Sequence, residues 1–327
     1  MHFVMWWVQQ GHHPTLDEAL TRLDHLRAHG ASEVAFGWAW LKDAQLWQQR
    51  ACTQNAETEV GRLMAGWRIP RVFKARDRSP NLRKFEFGGT DVRADIVGKY
   101  GPQGDLLEIY AATTDTLVHK WHHYLPIYER YFGPWRHRPA QPLRFLEIGV
   151  SGDGSLAMWR RYFGPEAIIF GIDINPACAA FNGQAGQVRI GSQDDPDFLR
   201  SVVAEMGGID VVLDDGSHVM AHVKASLQTL FPLLSLGGTY MIEDLHTAYW
   251  KEFGGGFKSP DNFFDFVRAS IDDMHQWYHG TPVAHPELAL LVAGLHLHDS
   301  IVVLDKAQVF PPIHSRIGKQ TIHRAAG

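Results

Sequence analysis

The chain has 327 residues, enough for one large α/β domain with an appendage or for two domains, and 45% of them are hydrophobic, which excludes a disordered chain. A formal net charge of -5 without a dense Lys/Arg block argues against nucleic-acid binding. Only Cys52 and Cys178 are present, so neither a disulfide framework nor a structural zinc site is indicated.

The N-terminal residues lack the basic start and long apolar stretch of a signal peptide, and the sequence contains no apolar run of about 18 residues. The two distant cysteines suit a reducing compartment. We therefore expect a cytoplasmic protein whose partner is a small molecule, and neither a membrane nor a nucleic acid.

Residues 1–48 have the pattern of a small β-α-β unit. Thr15 and Glu18 form a capping box that predicts the start of a helix, and Gly30 predicts its end. Apolar strands are predicted on either side, at residues 2–8 and 33–41. This segment resembles half of a small ferredoxin-like α+β barrel family of unknown function.

Residues 49–110 mix charge, proline and glycine between short apolar runs, which predicts a linker with a few strands or helices. The predicted organisation is thus a small N-terminal α+β segment with its linker at 1–110, of unknown function, and a second domain at 111–327.

Beyond residue 140, short apolar strands alternate with helix-length segments, which predicts a doubly wound α/β fold with a mostly parallel sheet. Two strands without a helix between them, in residues 295–307, predict an antiparallel edge. Ligands bind at the carboxyl ends of the strands in such sheets. The five strands before that edge are predicted at residues 144–150, 167–174, 187–191, 209–214 and 238–244.

The first strand ends in LEIGVSGDGS, where Gly149 and Gly152 allow a tight turn that approaches a nucleotide. Ser151 stands where the dinucleotide fingerprint requires glycine, and Glu147 and Asp153 place acids beside the loop. Acids favour a ligand with positive charge over one with phosphates, and S-adenosylmethionine, with its ammonium and sulfonium groups, fits. The alternative is an ordinary β-α turn.

Polar residues also follow the second and third strands. Asp173 can accept hydrogen bonds from both ribose hydroxyls of an adenosine. Ser192, Gln193 and Asp194 offer small polar groups suited to an adenine edge. Each of these residues alone has an alternative as a cap or loop residue, but three successive strand ends supply the groups that one adenosine requires.

The fourth and fifth strands end in acid pairs, Asp214–Asp215 and Glu243–Asp244. Unpaired carboxylates would repel one another, so we expect a divalent cation between them, and oxygen ligands favour Mg²⁺, Mn²⁺ or Ca²⁺. His218 follows closely and suits a general base, because histidine titrates near neutral pH. The alternative is that either aspartate caps the next helix while His218 lies at the surface.

The segments LEIG, GIDI, GSQDDP, LDDGSH and IEDLH, in this order, resemble the class I S-adenosylmethionine-dependent methyltransferases over roughly residues 110–310. They are most similar to the metal-dependent macrolide sugar O-methyltransferases of the mycinamicin VI 2''-O-methyltransferase type. The resemblance implies a seven-stranded Rossmann-like sheet, S-adenosylmethionine and Mg²⁺ as cofactors, and O-methylation of a sugar or similar diol in a glycosylated small molecule.

The resemblance also implies residue roles. Asp215, Glu243 and Asp244 would be the Mg²⁺ ligands and His218 the general base, with Asp215 also counted as catalytic. In the related catechol O-methyltransferases a Ser-Gln pair contacts the adenine, as Ser192 and Gln193 would here. Asp214 is counted with the cofactor-binding residues, and its alternative as a purely structural acid stays open.

TDTLVHKWHHYLPIYERYF (114–132) resembles the family's Thr-Asp and aromatic-rich element that helps to close over the cofactor. Asp115 is therefore counted as cofactor-binding. The family's lysine after Thr-Asp is Thr116 here, so the roles of Asp115, Lys120 and Tyr124 stay open.

Three further features have alternative interpretations. His296, His298 and Asp299 form an H-x-H-D run with the spacing of a non-haem iron site, although a surface-facing edge strand explains it better. Residues 246–257 predict either a mobile aromatic lid or core and dimer contacts. The chain as a whole could instead be a non-catalytic, S-adenosylmethionine-binding scaffold. We expect a homo-oligomer, and residues 1–110 either shape the acceptor site or form its interface.

Overall fold

The computed structural model describes residues 82–136, 141–152, 154–260 and 262–318. The chain divides into two compact units, Met1–Phe87 and Gly88–Gly327. In the first unit the description is limited to residues 82–87, with a short 3-10 turn at Leu82–Phe85. The β-α-β unit predicted for residues 1–48 lies outside the described residues. The sheet and the helices that cover it belong to the second unit.

Three helices precede the sheet: α1 (Val92–Tyr100), α2 (Asp105–Ala111) and α3 (Tyr124–Phe132). The Asp91 side chain caps α1 by accepting a hydrogen bond from the Ala94 N–H at 2.8 Å. Helices α1 and α2 belong to the second unit although they lie in the stretch for which the sequence predicts a linker. Helix α3 buries Tyr124, Tyr128 and Phe132, which its i, i+4 spacing places on one face.

Seven strands form one sheet in the order β3-β2-β1-β4-β5-β7-β6. The first five run parallel, whereas β7 runs antiparallel to both β5 and β6. The predicted fold, a mostly parallel seven-stranded sheet with an antiparallel pair at one edge, is confirmed. The strands are β1 (Arg144–Ile148), β2 (Ile168–Asp173), β3 (Gln187–Ile190), β4 (Ile209–Asp214), β5 (Leu234–Ile242), β6 (Val292–His298) and β7 (Ile301–Lys306).

Strand β5 begins at Leu234, earlier than the predicted start at residue 238. Gly237 and Gly238 lie within a register shift between β4 and β5. Gly237 has φ +80°, a conformation that glycine adopts without strain. The glycines therefore mark a bulge inside the strand and not its start.

Helices cover both faces of the sheet: α4 (Gly154–Phe163), α5 (Pro196–Met206), α6 (Met220–Leu230), α7 (Phe263–Met274) and the short α8 (Pro286–Ala289). Alternate residues of β1 enter different cores, because successive side chains of a strand point to opposite faces. Leu146 and Ile148 pack in one core, and Phe145 packs in the other. Short 3-10 turns lie at Gly133–Trp135, Pro176–Phe181, Phe231–Leu233, Leu245–Tyr249, Lys251–Phe253 and Gln276–Tyr278.

Trp159 of α4 packs against α3 in the core that contains Phe145. Its fully buried ring lies 5.3 Å from the Tyr128 ring and 5.4 Å from the Phe132 ring, both of α3, measured between centroids. Aromatic pairs in this arrangement stabilise packing beyond the area they bury. This contact fixes α3 above the sheet and so places the Tyr128 hydroxyl near the carboxyl ends of the strands.

Hydrogen bonds continue the sheet just past its strand ends. The Gly149 N–H donates to the Ile172 carbonyl at 2.8 Å, and the Asp215 N–H donates to the Ile148 carbonyl at 2.9 Å. The residues that follow β1 and β4 are therefore held side by side at one edge of the sheet. Among the described residues, no helix is both long and apolar enough to cross a membrane.

Candidate active site

Two acidic residues and a histidine converge beyond β4 and β5. His218 Nε2 lies 3.9 Å from Asp215 Oδ1 and 3.8 Å from Asp244 Oδ2. One ligand atom of each residue lies within 4.8 Å of the other two, and all three side chains are partly exposed. Within the described ranges this is the group of acids and histidines whose spacing suits a metal ion. The structure thus brings together three of the residues predicted from the sequence.

The backbone at this point is unusual. His218 has φ 56° and Asp244 has φ 59°, left-handed conformations that are uncommon outside glycine and that concentrate at functional sites. Asp244 is held there by Tyr124, whose hydroxyl donates to Asp244 Oδ1 at 2.8 Å and accepts from the Asp244 N–H at 3.2 Å. The Thr247 hydroxyl donates to the Asp244 carbonyl at 2.7 Å and lies 3.3 Å from the His218 carbonyl oxygen. These contacts join the backbone segments that carry His218 and Asp244.

Glu243, the third predicted metal ligand, takes a different position. Its side chain is buried and bonds to the Lys120 ammonium and the Tyr128 hydroxyl. Lys120 Nζ also donates to Asp215 Oδ2 at 2.6 Å. Glu243 is therefore turned toward an internal cation and lies outside the group formed by Asp215, His218 and Asp244. Its role as a ligand stays a prediction.

Burial and charge set the protonation of this cluster. Burial and the neighbouring Asp215 raise the pKa of Glu243 well above its ordinary value, and Lys120 only partly opposes them. Burial acts to lower the pKa of Lys120, but Asp215 and Glu243 outweigh it and hold that pKa above the ordinary value. Burial acts to raise the pKa of Asp215, yet Lys120 brings it below the usual range. Lys120 and Asp215 thus form a charged pair.

The glycine loop after β1 packs against the same region. Gly149 has φ +97°, and a Cβ at this position would lie 2.1 Å from the Asp215 carbonyl oxygen. Both facts require glycine at position 149. The requirement comes from close packing of the loop backbone against the segment after β4. At Gly152 a Cβ would meet no atom within 4 Å, which leaves open space beside the loop. Asp153 lies outside the described residues.

Asp173 holds the same loop from β2. Its Oδ2 accepts from the N–H groups of Val150 at 3.1 Å and Ser151 at 3.0 Å, and its Oδ1 accepts from the Asn175 N–H at 2.7 Å. The carboxylate is partly exposed, and the next residue, Ile174, is 56% exposed. An acid followed by an exposed apolar side chain at this strand end suits a ribose and an adjoining base.

Glu147 lies beneath the loop and is fully buried. Its Oε1 accepts from the Ser155 hydroxyl and from the Trp159 indole N–H, the latter at 3.2 Å. Its Oε2 has no hydrogen-bond partner among the described residues. Burial raises the pKa of Glu147 to about 7, although Lys120 and Ser155 act in the opposite direction. A buried carboxylate with one unpaired oxygen is unusual.

Gln193 and Asp214 are turned toward each other and away from solvent. Gln193 Nε2 donates to Asp214 Oδ1 at 3.1 Å, and Gln193 Oε1 accepts from the Ser217 N–H at 2.6 Å. Asp214 Oδ2 also accepts from the hydroxyls of Ser226 at 2.5 Å and Tyr240 at 3.1 Å. These bonds stabilise the loop that carries His218. Contacts of Gln193 and Asp214 with a cofactor stay predictions.

Three further predicted residues lie at the surface. Ser192 donates to Asp194, and both face solvent in part. Asp115 is exposed and pairs with Arg161 of α4. The structure therefore places Ser192 and Asp194 beside the end of β3 and Asp115 beside α4. Contacts of these three residues with a cofactor stay predictions.

The sequence did not assign the residues that contact the acids most closely. Lys120, Tyr124 and Tyr128 all reach them, from the segment and helix just before β1. The three residues are spaced four apart, and in a helix this spacing places side chains on one face. The two tyrosines do lie on one face of α3, so this spacing could have identified them from the sequence.

Aromatic rings line one side of the opening. The His246 ring lies 5.4 Å from the Trp121 ring and 5.0 Å from the Trp250 ring, and the Phe253 ring lies 5.9 Å from Trp250 and 6.4 Å from His218. Burial lowers the pKa of His246, which favours its neutral form. We call Trp121, His246, Trp250 and Phe253 the aromatic wall.

The H-x-H-D run does not form a metal site in the described part of the chain. His296 Nε2 bonds to Asp305 at 2.7 Å, and His298 Nε2 bonds to the Tyr131 hydroxyl at 3.1 Å. Asp299 is 90% exposed at the side chain. The run lies on edge strand β6 and the turn after it, which agrees with the surface-strand interpretation.

Known proteins resemble this chain in sequence and in structure. Residues 1–52 match the model of a family described as a domain of unknown function, DUF3291. The chain is 37% identical over 217 residues to the 8-demethyl-8-(2-methoxy-alpha-L-rhamnosyl)-tetracenomycin-C 3'-O-methyltransferase of Streptomyces olivaceus, which covers 63% of this chain and 54% of the relative. It is 34% identical over 203 residues to the mycinamicin VI 2''-O-methyltransferase of Micromonospora griseorubida, covering 57% and 49%.

A solved structure of the MycE methyltransferase from the mycinamycin biosynthetic pathway, in complex with Mg, S-adenosylhomocysteine (SAH) and mycinamycin VI, matches with a TM-score of 0.54. It is 28% identical in sequence, and the match covers 68% of this chain and 54% of that chain. The chain thus spans about half the length of the relatives it matches. The predicted resemblance to the macrolide sugar O-methyltransferases is confirmed.

Proposed function

We propose that this chain is a metal-dependent O-methyltransferase that transfers the methyl group of S-adenosylmethionine to a hydroxyl of a sugar or similar diol in a glycosylated natural product. The observation that carries the proposal is the convergence of Asp215, His218 and Asp244 beside the glycine loop of β1. This arrangement occurs in a chain whose relatives are named as O-methyltransferases of glycosylated compounds.

The acidic residues fit a divalent cation. Asp215 Oδ1 and Asp244 Oδ2 face the same opening, where His218 Nε2 approaches both. Carboxylate oxygens are the ligands that Mg²⁺ prefers, and Mn²⁺ or Ca²⁺ suit the same donors. Asp215 and Asp244 would hold the ion, and Glu243 completes the ligand set that the resemblance implies. When bound, the ion supplies Lewis acidity and a template for a vicinal diol.

The space beside the glycine loop fits S-adenosylmethionine. Asp173 and the exposed Ile174 stand at the end of β2, and Ser192 and Asp194 at the end of β3. These positions follow the carboxyl edge of the sheet, where nucleotides bind in doubly wound folds. Gly152 leaves room for the ligand, and the acids of this region suit a cofactor that carries positive charge.

His218 is the proposed general base. An alcohol does not ionise unaided near pH 7, so methyl transfer requires a group that removes its proton. His218 Nε2, which lies 3.9 Å from Asp215 Oδ1 and 3.8 Å from Asp244 Oδ2, accepts that proton. The left-handed backbone at His218 accompanies the placement of its ring beside Asp215 and Asp244.

The aromatic wall suits a glycoside acceptor. Trp250 and Phe253 are partly exposed beside the opening, and His246 is held by a 2.7 Å bond between its Nδ1 and the Ser300 hydroxyl. Rings of this kind pack against the apolar face of a sugar and exclude water from the reacting hydroxyl. The acceptor would then present its hydroxyls to the side that holds the acids.

The experiment is a methylation assay with glycosides and catechols as acceptors, S-adenosylmethionine as donor, and release of SAH as the readout. We expect turnover with a glycoside, its loss in EDTA, and its recovery with Mg²⁺. His218→Asn should abolish turnover, whereas the matched control His298→Asn, on the edge strand, should retain it. Binding of S-adenosylmethionine without turnover of any acceptor would favour a non-catalytic scaffold and contradict the proposal.

A further inference from the structure

Lys120 is an internal cation within the acidic cluster. Its side chain is 2% exposed, and its ammonium donates to Asp215 Oδ2 at 2.6 Å and to Glu243. The Tyr128 hydroxyl bonds to the other oxygen of Glu243. A buried lysine is rare unless it is paired, so these two carboxylates account for its burial.

Lys120 places one positive charge among the carboxyl groups at the ends of β4 and β5, where its ammonium bonds to Asp215 and Glu243. A cation bound among these acids would also lie close to the Lys120 ammonium, and like charges repel strongly where water is largely excluded.

Asp215 is shared between the two sides of the cluster. Its Oδ2 bonds to Lys120, while its Oδ1 faces His218 and the opening. Glu243 is buried, and both of its oxygens already accept a hydrogen bond, Oε1 from Lys120 and Oε2 from Tyr128. A divalent ion can therefore approach Asp215 and Asp244 from the opening, whereas at Glu243 it meets the Lys120 ammonium as a competitor.

We propose that Lys120 is a positioning residue that serves as a tethered cation: it holds Asp215 and Glu243 together without a divalent ion and competes with that ion for Glu243. This inference rests on the metal site of the proposed function. It makes Lys120 a determinant of metal affinity, because the lysine keeps the ion from binding as tightly as the three carboxylates would allow.

The test is calorimetric titration of Mn²⁺ into the full chain and its variants, with no acceptor present. Lys120→Met should bind Mn²⁺ at least about tenfold more tightly than the wild type, because a nearby positive charge is gone. Lys120→Arg keeps the charge and should stay within about threefold of the wild type. In EDTA, Lys120→Met should also melt at a lower temperature, and Mn²⁺ should raise that temperature more than it does for the wild type.

Lys306→Met is the matched control. Lys306 is also buried, but its ammonium donates to the carbonyls of Pro232 and Leu234 and contacts no acid of the cluster. Its replacement removes a buried lysine without changing the charge around the proposed ion. We expect a lower melting temperature with an unchanged Mn²⁺ affinity.

Two outcomes separate the two proposals. If the wild type binds Mn²⁺ and folded Lys120→Met binds it no more tightly, the inference about Lys120 is wrong while the metal site stands. If neither protein binds Mn²⁺, the metal site itself is refuted and the inference falls with it. Should Lys120→Met not fold, crystal structures of the wild type with and without Mn²⁺ decide. We expect Lys120 Nζ to move beyond about 3.5 Å from Glu243 when Mn²⁺ is bound, and an unbroken bond would overturn the inference.

Discussion

Glu147 provides a quantitative test of the buried electrostatics. Burial raises its pKa from an ordinary value of 4.5 to about 7 in the folded chain. The folded state therefore holds this proton more tightly than the unfolded state does. The stability that comes from the neutral carboxyl is fully present below pH 4.5, and it is lost as the pH rises toward 7. A difference of this size corresponds to about 3 kcal/mol of unfolding free energy, to order of magnitude.

Glu147→Gln removes the ionisation and keeps an oxygen that can accept from Ser155 and Trp159. The variant and the wild type should be similarly stable at pH 4.5, and the variant should be more stable by up to about 3 kcal/mol at pH 8. Urea denaturation of both proteins in EDTA, from pH 4.5 to 8, measures this difference. If the difference between the two proteins stays constant over that range, Glu147 does not titrate as a buried acid.

Two further substitutions test individual contacts. Tyr128→Phe removes the hydroxyl that donates to buried Glu243. Urea denaturation should therefore give an unfolding free energy about 1–3 kcal/mol below that of the wild type. An unchanged value would mean that this hydrogen bond does not contribute to stability. Asp173→Ala removes the acceptor of three backbone N–H groups and the proposed ribose ligand. Calorimetry should therefore show that the variant binds S-adenosylmethionine at least about tenfold more weakly than the wild type. Unchanged affinity in a folded variant would exclude Asp173 from the cofactor site.

The sheet could be predicted from the sequence because its strands are short apolar runs with clear ends. The predicted range 209–214 coincides with β4, which is buried along its whole length and follows Gly207 and Gly208. A bulge is harder to predict, because a glycine that ends a strand and a glycine that bends one look alike in sequence. This explains the late start predicted for β5.

The site could be predicted only as far as the strand ends. Topology determines which residues follow the strands, so the sequence could predict that Asp215, His218 and Asp244 lie together at one edge of the sheet. Topology does not determine where a side chain points, and Gln193 turns inward to Asp214. The bond of Lys120 to Glu243 joins residues far apart in the chain and depends on how the segment before α3 packs over the sheet, which no local pattern reveals.

The central claim is that the cofactor and the metal occupy separate parts of one site, the cofactor along β1 to β3 and the ion at Asp215. Calorimetry of Asp215→Ala tests it most directly, with S-adenosylmethionine and Mn²⁺ titrated separately. The account predicts that the variant binds S-adenosylmethionine within about threefold of the wild-type affinity while Mn²⁺ binding is lost, since the Asp215 carboxylate lies with His218 and Asp244, whereas the proposed cofactor contacts lie at the ends of β1 to β3. Loss of S-adenosylmethionine binding, or retention of Mn²⁺ binding, would contradict it.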